Sequence, residues 1–179
     1  GTFEDVSERT HAGLQCYGMG GAAADIDGDG DLDLVVTAAD GLFLLRNDGG
    51  TFTECGAAAG LATNVWTDDA GNVHPAWSTA AAFLDVDGDR DADLSAGNYV
   101  RWTPEPDIFT TIDGVTKAFT TPDRYRGLPC RLYLNDGHGR FSDQSEAYGL
   151  LAHEGKALGV VVWDLDGDGR DDVVVANDT

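Results

Sequence analysis

The 179-residue sequence predicts an all-β fold built from β-propeller blades of four short antiparallel strands, with acidic loops between strands. Three observations predict it. An acidic nonapeptide of pattern D-x-D-G-D-x-x-x-D occurs at 25–33, 85–93 and 164–172, each time ahead of a small or β-branched run. A second element also occurs three times, as "GTFEDVSERTHAGL" from Gly1, "GTFTECGAAAGL" from Gly50 and "GRFSDQSEAYGL" from Gly139. No long amphipathic helical pattern separates the apolar runs, which excludes a doubly wound α/β fold. Repeats of this size, with about four short strands each, point to a propeller or a similar array.

The elements follow in a fixed order. Each nonapeptide is preceded by a small or apolar stretch, "GMGGAAA", "AWSTAAAFL" and "KALGVVVW", which gives strand, loop, strand. Ahead of the second and third "G-x-F" elements lie "LFLLRNDG" and "RLYLNDGHG", alternating strands that run into Asn-Asp-Gly, a hairpin signal. The unit is therefore strand, aspartate loop, strand, strand, hairpin turn, strand and a short Ala/Gly-rich linker. On this order 1–14 is the last strand and linker of a preceding blade, 15–61 a first complete blade, 76–150 a second, and 155–179 the first two strands of a further one. The second blade carries an insertion at 98–129, where "IFTT-IDG-VTKAFT" forms an extra hairpin flanked by Pro104, Pro106, Pro122 and Pro129. A closed propeller needs about four blades or more. The sequence is thus a piece of a longer propeller, or an incomplete one whose open edges other copies cover.

The nonapeptides suit neither regular structure. In a strand, alternate aspartates would share one face. Neighbouring charges ~6–7 Å apart repel by roughly 0.6–0.7 kcal/mol per pair even at the dielectric of water. In a helix each loop glycine would cost ~1 kcal/mol relative to alanine. A tight loop around a cation converts the repulsion into binding. Calcium, which takes six to eight hard oxygen ligands in flexible geometry, fits better than magnesium with its stricter octahedron. About three calcium ions are expected. Side chains at positions 1, 3, 5 and 9 supply carboxylates in every copy: Asp25, Asp27, Asp29 and Asp33; Asp85, Asp87, Asp89 and Asp93; Asp164, Asp166, Asp168 and Asp172. Position 7 is Asp31, Asp91 and Arg170. Arginine cannot ligate through its side chain, so position 7 is expected to offer its backbone carbonyl, with the two aspartates there incidental. Position 6 is Gly30 and Gly169 but Arg90 in the middle copy; if that position needs positive φ, the arginine costs ~1–2 kcal/mol, and the middle site is the weakest. An EF-hand is excluded, because position 12 is Val36, Ala96 or Val175 rather than glutamate and the flanks are β-branched. Three copies in matching strand contexts also argue against plain Asp-Gly surface turns.

These residues resemble the FG-GAP/VCBS repeat of integrin-α-type β-propellers, whose D-x-D-x-D-G-x-x-D loop binds calcium between blade strands. The likeness is strong at 25–33 and 164–172 and departs at Arg90. "NYVRW", "LYLNDGHGRFSDQSEAYGL" and "LGVVVWDLDGDGRDDVVVANDT" look more specifically like the ASPIC/UnbV group, related to cartilage acidic protein. The resemblance covers nearly the whole chain except 103–129. It implies propellers of about seven blades, secreted or at the cell surface, used in adhesion or as scaffolds, with structural calcium.

Bulk properties narrow the function classes. The chain has 11 Lys+Arg against 32 Asp+Glu, a net charge of −21, and is 42% hydrophobic. That composition is globular rather than disordered, and it argues against nucleic acid and anionic membrane surfaces as partners. No 18-residue apolar run spans a bilayer, and the opening in mid-pattern at "GTFEDV" leaves room for a removed leader. Cys16, Cys55 and Cys130 have no CxxC spacing; one disulfide with a free thiol and three buried thiols are both open. The sequence holds no G-x-S-x-G, H-E-x-x-H or phosphate-cradling loop. His11, His74, His138 and His153 are scattered through turns and linkers, with His153-Glu154 just ahead of an inner strand. Trp77 and Trp163 adjoin inner strands and are expected in the core, whereas Trp102 and Tyr125 lie in the insertion, where exposed aromatics could meet a protein or carbohydrate ligand. A calcium-binding, non-catalytic interaction module is therefore expected first. The alternatives are a calcium-dependent carbohydrate lyase or hydrolase on the same scaffold, and a fragment that self-assembles through open blade edges.

Overall fold

The structure is a computed structural model and describes residues 1–105 and 107–178. Pro106, one of the prolines flanking the insertion, and Thr179, the end of the last unit, lie outside the described residues. The fold is all-β, consistent with part of a propeller: several small antiparallel sheets, with no closed barrel among the described residues.

The first sheet runs β1 (Gly18–Ala24), β2 (Asp33–Ala38), β3 (Gly41–Asp48) and β4 (Thr51–Glu54), each strand antiparallel to the next. Gly49 and Gly50, both at positive φ, make the two-residue turn between β3 and β4, the connection whose twist matches its flanking strands. A small hairpin, β5 (Val65–Thr67) with β6 (Val73–Pro75), links the sheets. The second sheet begins with β7 (Ser78–Leu84) and β8 (Asp93–Asn98). The chain then leaves it for the insertion, where β9 (Thr110–Thr111) and β10 (Lys117–Ala118) form the expected extra hairpin. It returns as β11 (Arg131–Asn135) and β12 (Phe141–Asp143), giving the order β12-β11-β8-β7. The third unit is the pair β13 (Ala157–Trp163) and β14 (Asp172–Asn177).

The first strands of the three units lie side by side, β1 and β13 both packing against β7. Their composition explains the close approach. A Cβ on Gly20 would sit 3.1 Å from the carbonyl oxygen of Thr79, and one on Gly97 would sit 3.1 Å from both Ala157 and Val160. The Thr79 hydroxyl reaches across to the Ala157 carbonyl at 2.6 Å. Larger residues would wedge these strands apart. The main core fills the space between the first two sheets, from Ile26, Val35, Leu44, Leu61, Leu94, Tyr133 and Phe141. Burying such side chains is worth ~1.5–3 kcal/mol each.

The third unit differs. Trp163, expected in the core, is 68% exposed, as is much of Val161, because the β13–β14 pair carries no third strand among the described residues. Trp77 instead meets Trp102 and Tyr99 edge-on, with ring centroids 5.3 and 5.5 Å away. All three cysteines are free and partly buried, and burial raises the Cys130 thiol.

Candidate metal centres

Each acidic loop folds around its first aspartate. In the first, Asp25 Oδ1 accepts the Gly28 N–H at 2.8 Å and Oδ2 the Gly30 N–H at 3.0 Å. Asp85 binds the Gly88 and Arg90 N–H groups at 2.8 and 3.1 Å, and Asp164 binds those of Gly167 and Gly169 at 2.7 and 2.9 Å. The fifth position repeats as well. Asp29, Asp89 and Asp168 each accept the backbone N–H two residues on, at 2.8, 2.8 and 2.9 Å. This wrapping puts positions 4 and 6 at positive φ throughout, and Arg90, at φ 77, is the side-chain-bearing exception.

The wrapping gathers carboxylates. Oxygens of Asp25, Asp27 and Asp29, of Asp85, Asp87 and Asp93, and of Asp164, Asp166 and Asp172 each come within 4.8 Å of one another. Two oxygens on one calcium ion lie at most roughly 5 Å apart, given bonds of ~2.3–2.6 Å, so each triad is positioned to hold a metal ion and is compatible with calcium. Asp33, Asp89 and Asp168 complete the sets of four but lie outside these triads, as do Asp31, Asp91 and Arg170 at position 7. The donor set supports a cation on a further ground: Asp27 Oδ1 is buried without a hydrogen-bond partner. An unpaired buried carboxylate oxygen is costly unless a cation takes it up.

The ninth-position aspartates anchor the loops to the sheets. Asp33 and Asp93 are fully buried. Asp33 accepts the Ile26 N–H at 3.0 Å and the Asn47 N–H at 2.7 Å; Asp93 accepts those of Val86 and Asn135, both at 2.9 Å. Burial raises the proton affinity of both carboxyls, opposed by these backbone hydrogen bonds. Asp172 keeps the Leu165 N–H at 2.9 Å and is only partly buried.

Asn47 and Asn135, in the sequence only part of a hairpin signal, tie the acidic loops to the sheets. Besides the backbone contacts, their side-chain amides donate to the position 8 carbonyls of Leu32 and Ala92 at 3.1 and 3.3 Å. Asn135 also donates to Ile26 at 2.8 Å, and the Gly139 N–H to the same carbonyl at 2.9 Å, which ties the second blade to the first loop. The signal was present in the "NDG" shared by 47–49 and 135–137. Asp31, expected to be incidental, accepts the Gly49 N–H at 2.8 Å and holds the hairpin turn over its loop.

Elsewhere, Glu154 accepts hydrogen bonds from Arg101 at 2.7 Å and Arg126 at 3.0 Å, fastening the insertion to the third unit, while His153 is exposed. His74 is paired with Asp68 at 3.0 Å.

Strand, aspartate loop and strand, three times over with one hydrogen-bond scheme, define a repeat protein of propeller type. The FG-GAP-like repeat family matches residues 25–95 and 105–175, and the chain belongs to that family. The first match opens on Asp25 and the second closes just past Asp172, so together they span all three loops. No curated protein matches the chain. No helix among the described residues is long and apolar enough to cross a membrane.

Proposed function

We propose that the chain is a calcium-stabilised, non-catalytic propeller module that works outside the cell in adhesion or protein interaction. One observation carries the calcium part: a three-carboxylate cluster is assembled in each of three separate units, from loop positions 1, 3 and 5 in the first and 1, 3 and 9 in the other two. Each ion would cancel repulsion within its loop and pin the strands on either side. The side-chain ligands would be Asp25, Asp27, Asp29 and Asp33, with the matching residues of the other loops. Three ions would leave the chain acidic, at about −15 from −21, since each brings two positive charges. Extracellular modules of this chemistry bind at ~10⁻⁴–10⁻³ M, suited to the calcium found outside cells.

The interaction part rests on the insertion. Its hairpin carries Phe109, Ile112, Val115 and Phe119 largely or wholly exposed, more apolar surface than a small hairpin leaves bare without a partner. The narrower kinship with the ASPIC/UnbV group, and secretion with it, rests on the sequence likeness of "NYVRW" and the 132–150 and 158–179 stretches.

Calorimetric titration with calcium, paired with thermal melts in calcium and in chelator, tests the reading. Saturable binding and a raised melting temperature are expected, with about 2.7 kcal/mol per site at a free calcium 100-fold above Kd. No heat and superimposable melts would sink it.

Self-association is a second reading, favoured by the exposed apolar face of β14 and by its outer edge, which has no strand partner among the described residues. Light scattering across a concentration series decides it; a monomer throughout rejects it.

A further inference from the structure

The strands run so that all three aspartate loops lie at one end of the blades. Residues at the start of β1 and β7, and in the β2–β3 turn, lie at the other. There a cleft of about 580 Å³ opens between the first two blades and the insertion. Its aromatic lining is Tyr17, His74, Trp77 and Trp102, and its charged lining is Asp40 and Glu105. The remaining wall is Met, Ala, Pro and one Thr.

Two features of this wall select a ligand. Trp77 and Trp102 both line the cleft and meet edge-on at 63° with centroids 5.3 Å apart, so two inclined ring systems form a corner of its wall. Aromatic groups so placed attract cations through the ring quadrupole. Second, the cleft is negative: among the described lining residues there is no Lys or Arg, and His74 is already paired with Asp68. Asp40 accepts the Tyr17 N–H at 3.2 Å.

We propose that this cleft binds a small organic cation bearing a quaternary ammonium head. A primary ammonium brings three N–H donors that each need an acceptor; Asp40 and Glu105 supply acceptors, but the Met, Ala and Pro side chains of the wall supply none. A quaternary head has no donors to satisfy, and its methyl groups suit an aromatic corner. The volume is too large for a bare metal ion and fits a small organic molecule. Asp40 and Glu105 are also acceptors that sugar hydroxyls use, so an oligosaccharide series is one arm of the test. The proposal deepens the interaction-module reading by naming a ligand chemistry, and rests on it. The two fail separately: calcium is followed by the melt, and the ligand by fluorescence of the cleft tryptophans at saturating calcium.

The experiment titrates the full chain with choline and, separately, with 3,3-dimethylbutan-1-ol, the uncharged carbon analogue, at constant ionic strength. Saturable choline binding is expected, with the analogue about tenfold weaker, as a cation–π contribution predicts. Trp102→Ala should abolish the choline response. Glu105→Gln, an exposed change, should weaken it several-fold while leaving the calcium-loaded melt unchanged, so the test survives if Trp102→Ala unfolds the insertion. Equal binding of both probes would make the cleft merely apolar and overturn the proposal. So would binding of an oligosaccharide series without choline, or full choline affinity in Glu105→Gln.

Discussion

The Asp33 carboxylate holds the Asn47 backbone N–H at 2.7 Å and, with its other oxygen, the Ile26 N–H at 3.0 Å. One buried side chain thereby ties an acidic loop to the third strand of its own blade. In Asp33→Asn one of those donors faces an NH₂ group and is left unsatisfied, which costs about 1–3 kcal/mol. Asp172→Asn, where the carboxylate is partly exposed and one loop N–H is at stake, should cost under about 1 kcal/mol. Urea melts in chelator read both changes without a metal contribution. Equal losses would show that burial at Asp33 does not matter.

Arg90 occupies a backbone conformation, φ 77, that its counterparts Gly30 and Gly169 share at φ 92 and 87. A side chain there costs ~1–2 kcal/mol. Arg90→Gly should therefore raise stability by about that amount and tighten calcium at the middle loop. Arg90→Ala, which removes the charge but keeps the Cβ, should not. Calorimetry on the three proteins separates backbone strain from charge; a gain in Arg90→Ala equal to that in Arg90→Gly would refute it.

Two tyrosines give a handle on alkaline stability. Burial and then the Asp178 hydrogen bond at 2.7 Å push Tyr99 up to about 12, and burial alone does most of the same for Tyr133, also about 12. A raised phenol in the folded state contributes stability that is intact below the unfolded value near 10 and is lost as pH climbs through 12. Ultraviolet titration at 295 nm should show Tyr99 and Tyr133 ionising late, near pH 12, with melting temperature falling over the same window. Removing both late groups with Tyr99→Phe and Tyr133→Phe should flatten that fall.

The aspartate loops and the blade order were legible because they repeat. Three copies of one spacing marked the loops, with Arg170 the ground for expecting a backbone ligand at position 7, and the "IFTT-IDG-VTKAFT" hairpin could be placed from alternation around a turn. What single-chain patterning could not give was contact between units. That Asn135 reaches Ile26 in the neighbouring blade depends on how blades stack, a relation between residues 109 apart that no local pattern encodes. Trp163 illustrates the opposite error. An aromatic at the end of an apolar strand implies burial only when a further layer covers that face, and strand periodicity does not say whether one is there. The aromatic cleft was hidden for the same reason, since Tyr17, Trp77 and Trp102 are joined only by folding.

The insertion is organised by Asp107. Its Oδ1 accepts the Tyr125 hydroxyl at 2.7 Å, the Trp102 indole N–H at 3.2 Å and the Ile108 N–H at 2.9 Å, and its Oδ2 accepts the Lys117 ammonium at 2.8 Å. Three of these donors, Lys117 first and then Tyr125 and Ile108, hold this carboxyl down at about 2 against the opposing effect of burial. A depressed carboxyl contributes stability that is present above the unfolded value of 3.8 and is lost as pH falls toward 2. Between those values the insertion should loosen; the raised Asp33 and Asp93 carboxyls that anchor the blade loops also protonate there, so the control is made at neutral pH. Asp107→Ala should produce the same loosening at neutral pH. Amide hydrogen exchange over 107–125 should accelerate about tenfold or more, as losing roughly 1.4 kcal/mol of local stability requires, with exchange in β2 and β8 unchanged. Asp107→Asn, which keeps an acceptor for Tyr125 but drops the charge that holds Lys117, should fall between. Uniform acceleration across blades and insertion would mean the insertion is not a separate cooperative unit.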